Sequence, residues 1–308
     1  VVASRRMTTQ SKRPTVLVVQ YANPDHYPPT FNAVSLLAEE FEVRIFCRKS
    51  DREVRLWPRN VRLERVGPSL STAEAAAASS RDKLAEYVQF VWALRRAIER
   101  ERPAVILAYE PHAYVAVVLS GTKLPVVYQR HEVEELGAPM DRRSLGGWIY
   151  ALARKRSTQA ARMVFPQTAR ADYYQQHVPL PRAPLVVPNF PLLESFVAPD
   201  FAQLLPRRAA RRKLLYRGLM GPANGIIEAV QTLSHLSDLT LQLAGPASVA
   251  FEAELASAIQ AAGLNGRIER LGFVPFDELN ALTREASVGL MLYQAVDTNW
   301  GNIASSNN

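Results

Sequence analysis

Cysteine is almost missing from this sequence: Cys47 stands alone among 308 residues, so no internal disulfide can staple the fold. Long apolar runs are missing too, since the stretch around residues 115–119 falls well short of the roughly 20 residues a membrane-spanning helix needs. At the start no basic segment leads into an apolar core and a small-residue cleavage site. These three absences set the expectation of a reducing, cytoplasmic environment. The basic residues are not interleaved with aromatic ones, and no nucleic-acid-binding motif is present, so nucleic acid is excluded as the expected partner.

What is present begins with charge. The formal net charge is +8, which directs attention to anionic partners: phosphorylated small molecules or an anionic lipid surface. Arginine is clustered, at Arg142 and Arg143, at Arg154 and Arg156 around Lys155, and at Arg207, Arg208, Arg211 and Arg212 before Lys213. Each cluster fits a solvated face equally well. Residues 142–162 also carry Trp148 and Tyr150, a composition that suits peripheral contact with an anionic membrane surface, possible at the inner membrane face.

The length exceeds what one hydrophobic core commonly serves, so two domains are expected. After a polar leader at 1–13, apolar runs and helical periodicity alternate. Strands are expected at 15–19, 42–46, 61–66, 104–108, 126–129, 163–165 and 185–187, with helices at 31–40, 81–100, 112–119 and 145–160. Periodicity lapses between 190 and 212, where Pro191, Pro199 and Pro206 punctuate the chain. A second series follows, with strands at 214–216, 240–243, 268–271 and 288–292 and helices at 226–236, 251–262 and 276–285. Continuously apolar strands with helices between them imply parallel sheets covered on both faces. The fold class is therefore α/β with two Rossmann-like domains facing across a cleft: residues 14–190, a linker at 191–212, and residues 213–308. The last residues follow a strand and a polar loop without a closing βα unit, so the second domain is expected to be incomplete.

In open parallel sheets ligands sit beyond the carboxyl ends of the strands. After the first strand the loop from Gln20 to Thr30 is rich in hydrogen-bonding groups, although Thr30 also reads as a helix N-cap and Pro28-Pro29 as a rigid turn. The strand at 126–129 runs into Arg130-His131-Glu132-Val133-Glu134-Glu135. A histidine there can donate to a hydroxyl or a developing charge. The same segment also fits a plain loop whose glutamates open a short helix. No second histidine or cysteine lies at ligand spacing from His131, so no metal site is expected. In the second series, Tyr216-Arg217-Gly218, with Asn224-Gly225 after it, is a strand, a turn and a helix start. Gly245 and Gly272 repeat the arrangement after the next two strands. Glycine lets backbone approach phosphate, and a helix N-terminus offers free amides. Any tight strand-to-helix turn uses the same residues.

The order of these motifs resembles the retaining glycosyltransferases of the GT-B fold, family 4. The resembling residues are His131-Glu132 after an apolar strand, Val187-Pro188-Asn189, Tyr216-Arg217-Gly218 with Asn224-Gly225, Leu271-Gly272-Phe273-Val274-Pro275, and Val288-Gly289-Leu290-Met291-Leu292. The resemblance implies transfer of a hexosyl group from a nucleoside-diphosphate-sugar to an acceptor such as a polysaccharide, glycolipid or natural product, with retention and no metal or other cofactor. It assigns His131 and Glu132 to the catalytic centre, Arg217, Gly218, Asn224, Gly225, Gly245, Gly272, Phe273 and Val274 to the donor, and Tyr27, Thr30 and Asn32 to the acceptor. Family members commonly place basic residues where this chain has Leu219 and Asn224, and a glycine pair where it has Pro28-Pro29. The glutamate that grips the ribose in the family would lie beyond Asn308. These departures also admit a non-catalytic GT-B-like subunit that binds a nucleotide or a partner, and the architecture admits a nucleotide-sugar epimerase.

Overall fold

The structure, a computed structural model, describes residues 13–49, 55–69, 78–136, 143–192 and 200–294. The expected leader thus lies outside the described residues apart from Arg13, as does the end of the chain beyond 294. Two compact units divide the molecule, the second beginning at Glu194.

The first unit is built on seven strands: β1 (Thr15–Gln20), β2 (Glu42–Arg48), β3 (Val61–Val66), β4 (Val105–Tyr109), β5 (Val126–Gln129), β6 (Arg162–Phe165) and β7 (Leu185–Val186). Their spatial order is β3-β2-β1-β4-β5-β6-β7, with every pairing parallel. Order reverses between β1 and β4, the switch point at which doubly wound sheets bind ligands. The helices are α1 (Pro28–Glu40), α2 (Ser80–Glu101), α3 (Glu110–Leu119), α4 (Leu145–Arg156) and α5 (Thr168–His177). Val16, Val18, Val43 and Ile45 of the sheet and Val34 and Ala38 of α1 form one buried cluster that also holds the lone Cys47. Each of the valine and isoleucine side chains among them contributes roughly 1.5–3 kcal/mol on burial.

Two local differences from the sequence expectation have clear causes. α1 begins at Pro28, three residues early, because proline lacks the N–H that a first turn leaves unpaired and already holds a helical φ. Its N-cap is Tyr27, without a side-chain cap, so Thr30 is not the capping residue and lies fully buried inside the first turn. α5 falls where no helix is expected. Its sequence is mostly polar, and only Arg170, Ala171 and Tyr174 are buried.

The loop after β1 is pinned by Asp25, whose carboxylate is fully buried. It accepts from Arg65 Nη2 at 2.8 Å and from Trp57 Nε1 at 2.7 Å, while its carbonyl accepts from Arg55 Nε at 2.9 Å. Next to it, Tyr21 stacks on His112 at 5.5 Å, meets Tyr87 and Phe90 edge-on and lies beneath the Arg48 guanidinium at 5.0 Å.

The second unit holds α6 (Phe201–Arg211), β8 (Lys213–Arg217), α7 (Ile226–Leu233), β9 (Thr240–Ala244), α8 (Val249–Ala261), β10 (Ile268–Gly272), α9 (Phe276–Glu285) and β11 (Val288–Leu290). Strand order is β10-β9-β8-β11, all parallel, so it opens with the same 3-2-1-4 pattern as the first sheet. Leu241, Leu243, Val230, Phe251 and Leu255 lie at its centre. α6 corrects the expectation of an irregular stretch at 190–212, for it carries Pro206 within a helix. Its arginines do the fastening. Arg208 donates to the carbonyls of Thr283 and Arg284 at the end of α9, Arg211 pairs with Glu285, and Arg212 pairs with Asp238. The most basic cluster of the chain is thus largely spent inside its own unit.

Burial pushes the phenols of Tyr21 and Tyr216 up to about 12 each, against an ordinary value near 10. For Tyr21 the Arg48 charge opposes the shift and Glu86 adds to it, and for Tyr216 the added cause is Tyr293. With folded values above unfolded ones, their contribution is intact below pH 10 and is lost as pH rises from 10 through 12, because only the unfolded chain sheds these protons. Phenolate absorbance should therefore stay below the full tyrosine count at pH 11 until the chain unfolds. Simultaneous titration of all tyrosines before unfolding would contradict this.

Candidate functional site

β4 and β5 lie side by side, and their carboxyl ends bring Glu110 and His131 together. His131 Nδ1 lies 2.9 Å from Glu110 Oε1, and the His131 backbone N–H donates to the same oxygen at 2.8 Å. A carboxylate only accepts, so Nδ1 carries the proton. Nε2 then accepts from the Gln129 amide at 3.3 Å. Tyr109 stacks against the ring at 5.6 Å with 13° between planes, and Arg170 donates to the His131 carbonyl. Burial pushes the Glu110 carboxyl up, but the hydrogen bonds from the His131 ring and backbone N–H and the charge of Arg130 outweigh it and hold the group below its ordinary value.

The backbone at Glu110 has φ +65°, a left-handed conformation that costs a residue with a side chain on the order of 1–3 kcal/mol. Strain of that kind at a strand end makes the position a candidate for function. Beside it Arg130 is buried, paired with Glu134 at 2.5 Å and set over the rings of Tyr150 and Tyr174. Burial alone would lower its pKa; Tyr128, Glu134, Tyr174 and Glu110 raise it instead. Glu132, the next residue along, is exposed.

Of the expected acceptor residues, Tyr27 is exposed, Thr30 is fully buried, and Asn32 donates through Nδ2 to the Phe190 carbonyl at 2.9 Å. Thr30 therefore offers no surface to a ligand. Burial, then Glu110 and Glu132, push the Tyr27 phenol up.

In the second unit three successive strand ends close on glycine. Gly218 N–H donates to the Ala244 carbonyl at 2.9 Å and Gly245 N–H to the Gly272 carbonyl at 2.7 Å, so the sheet ends in a ledge of bare backbone. Gly245 has φ +153°, and a Cβ there would stand 1.8 Å from the Gly218 carbonyl oxygen. Gly225, at φ +61°, caps α7 where a Cβ would meet Leu292 at 2.8 Å. The expectation that Gly218 offers its amide to a ligand is corrected: that N–H is already used, as is Asn224 N–H on the Gly221 carbonyl. Free donors lie further on, since among the described residues no backbone acceptor meets the amides of Ile226, Ile227 and Glu228 in the first turn of α7. Arg217 is directed to Thr283 Oγ1 at 3.1 Å, and burial lowers its pKa. Phe273 is exposed, whereas Val274 packs against a small core of Leu215, Ala244 and Ala286.

Among the described residues no three His, Cys, Asp or Glu side chains are grouped as a metal ion would require, and no helix is long and apolar enough to cross a membrane.

Residues 32–189 match the family model described as a glycosyl transferase 4-like domain. The chain belongs to this family. The fold of this glycosyltransferase is shared with GT-B enzymes of known structure. Sucrose-phosphate synthase from Thermosynechococcus elongatus superposes with a TM-score of 0.70 at 15% identity, over 90% of this chain and 75% of that one. Anabaena HepE in complex with UDP-glucose gives 0.62 at 14% identity, over 90% and 73%. The trehalose-6-phosphate protein from E. coli bound with UDP-2-fluoro glucose gives 0.63 at 10% identity, over 91% and 78%. At such identities the likeness concerns the fold. No curated protein sequence matches this glycosyltransferase.

Sequence patterning does not single out Glu110, Arg130 or Arg170 in this glycosyltransferase. A usable signal for Glu110 exists all the same: an acid directly after an apolar strand and directly before Pro111, at the start of a helix.

Proposed function

We propose that this glycosyltransferase moves a hexosyl group, with retention, from a nucleoside-diphosphate-sugar to a hydroxyl-bearing acceptor of the polysaccharide, glycolipid or natural-product class. The observation that carries the proposal is the pair of open glycines at the ends of β8 and β10, Gly218 and Gly272, leading to the free amides at the start of α7. Bare backbone admits a diphosphate closely, and first-turn amides with the helix dipole favour its charge without a metal. The exposed ring of Phe273 beyond β10 is suited to lie against the base. The structures of HepE and of the E. coli protein hold UDP-sugars, which supports a donor of that chemistry. In this reading His131 and Glu132 belong to the catalytic centre, and Tyr27 and Asn32 meet the acceptor.

The test is a panel of nucleotide-sugars, scored by protection from thermal unfolding and by release of nucleoside diphosphate. His131→Ala should lower release on the order of 100-fold or more while circular dichroism and the unfolding midpoint stay near those of the parent chain. Undiminished release in that variant would remove His131 from the centre. A second reading, a subunit that binds a nucleotide without turnover, is favoured by Leu219 and Asn224 at positions where charge would assist phosphate binding, and by the engagement of Arg217 with Thr283. Protection without any release would select it, and a product altered only in its sugar would select an epimerase.

A further inference from the structure

Every polar atom of His131 is occupied. Nδ1–H and the backbone N–H both go to Glu110 Oε1, Nε2 accepts from Gln129, the carbonyl accepts from Arg170, and one ring face lies on Tyr109. As a neutral ring held this way the imidazole has no donor to offer a ligand. Glu110 differs. Oε1 takes both histidine bonds, and among the described residues no donor engages Oε2. Its side chain is 32% exposed against 17% for His131. A left-handed backbone holds it at the carboxyl end of β4, beside the switch point of the sheet, a conformation that the surroundings must enforce.

We infer that Glu110, through Oε2, is the group of this pair that accepts the hydrogen bond of the acceptor's hydroxyl, with His131 as the buttress that aims it. This rests on the transferase reading above and assigns within it a contact that no sequence motif marks. The carboxylate fixes the imidazole as its Nδ1–H tautomer. The imidazole and its backbone N–H in turn hold Oε1, so that rotation of the carboxylate is prevented and Oε2 keeps one direction. A hydroxyl is a donor, and an anionic oxygen held in place is its strongest neutral-pH partner. Preorganised acceptors of this kind orient the attacking oxygen, a contribution that proximity makes large.

Two measurements on the full chain test the inference. The first is 15N NMR of histidine-labelled protein. The parent chain should show His131 protonated on Nδ1 and bare on Nε2, and Glu110→Ala should shift the ring toward the Nε2–H form. The second uses whichever nucleotide-sugar protects the parent chain in the panel, with methyl glucoside, methyl galactoside, methyl mannoside and glycerol as hydroxyl probes. Glu110→Gln should keep that donor's thermal protection and lower sugar transfer to the probes on the order of 100-fold. Transfer undiminished in Glu110→Gln, or a parent imidazole protonated on Nε2 instead of Nδ1, overturns the inference. Loss of donor protection in Glu110→Gln overturns it as well, since it would place Glu110 at the donor. A parent chain protected by no nucleotide-sugar sinks the transferase reading, and this inference with it.

Discussion

Gly245→Ala should destabilise the second unit by roughly 3–5 kcal/mol and abolish protection by any nucleotide-sugar. The magnitude follows from two causes acting on one atom. The left-handed φ of Gly245 strains any residue with a side chain, and the added Cβ would lie 1.8 Å from the Gly218 carbonyl oxygen, a backbone atom with no rotamer to give way. The ends of β8 and β9 would have to separate, which breaks the bond from Gly218 N–H to the Ala244 carbonyl. Gly266→Ala provides the control, since nothing lies within 4 Å of a Cβ there, and it should change stability by no more than about 0.5 kcal/mol. Denaturant unfolding of both variants, followed by thermal scans with UDP-glucose, reads the difference. An alanine tolerated at 245 with an unchanged midpoint would mean that the ledge is not closed as described.

Asp25→Ala should cost about 3–5 kcal/mol, the range for removing one partner from a buried ion pair. The carboxylate is wholly buried and gathers Arg65 and the Trp57 indole onto one turn, while Arg55 reaches the carbonyl of the same residue. Without it the loop after β1 loses the side-chain acceptor that shapes it, and Arg65 loses its carboxylate partner. Asp25→Asn keeps one acceptor oxygen for Trp57 and should cost less than Asp25→Ala. Equal midpoints for Asp25→Ala and the parent chain in urea would show that the loop is held by other contacts.

Most of the sheet scaffold was legible in the sequence because parallel strands buried on both faces are written as unbroken apolar runs, as in Val16 to Val19 and Val105 to Leu107. What escaped was structure whose cause lies elsewhere in the chain. α5 buries a narrow face, so its polar residues hide its period, and α6 is secured by arginine bonds to the end of α9 that no local pattern announces. The glycines after β8, β9 and β10 were readable as tight turns. Which of their amides are already used depended on pairing between strands, and this moved the free donors from Gly218 to the start of α7. His131 could be named from its place after a strand. Glu110 could not be ranked beside it, because its importance comes from a backbone angle and from a bond that joins two separate strand ends.

The central strand of the first sheet also constrains how the protein is made. Val16 has Val43 on one side and Val105 on the other, so β1 stays half-paired from the time β2 arrives until β4 leaves the ribosome. Pairings between such distant segments form slowly and leave sticky edges open meanwhile. A nascent chain stalled anywhere between α1 and β4 should therefore be a substrate for chaperones. The carboxylate and imidazole near the switch point can meet only once β5 has docked beside β4.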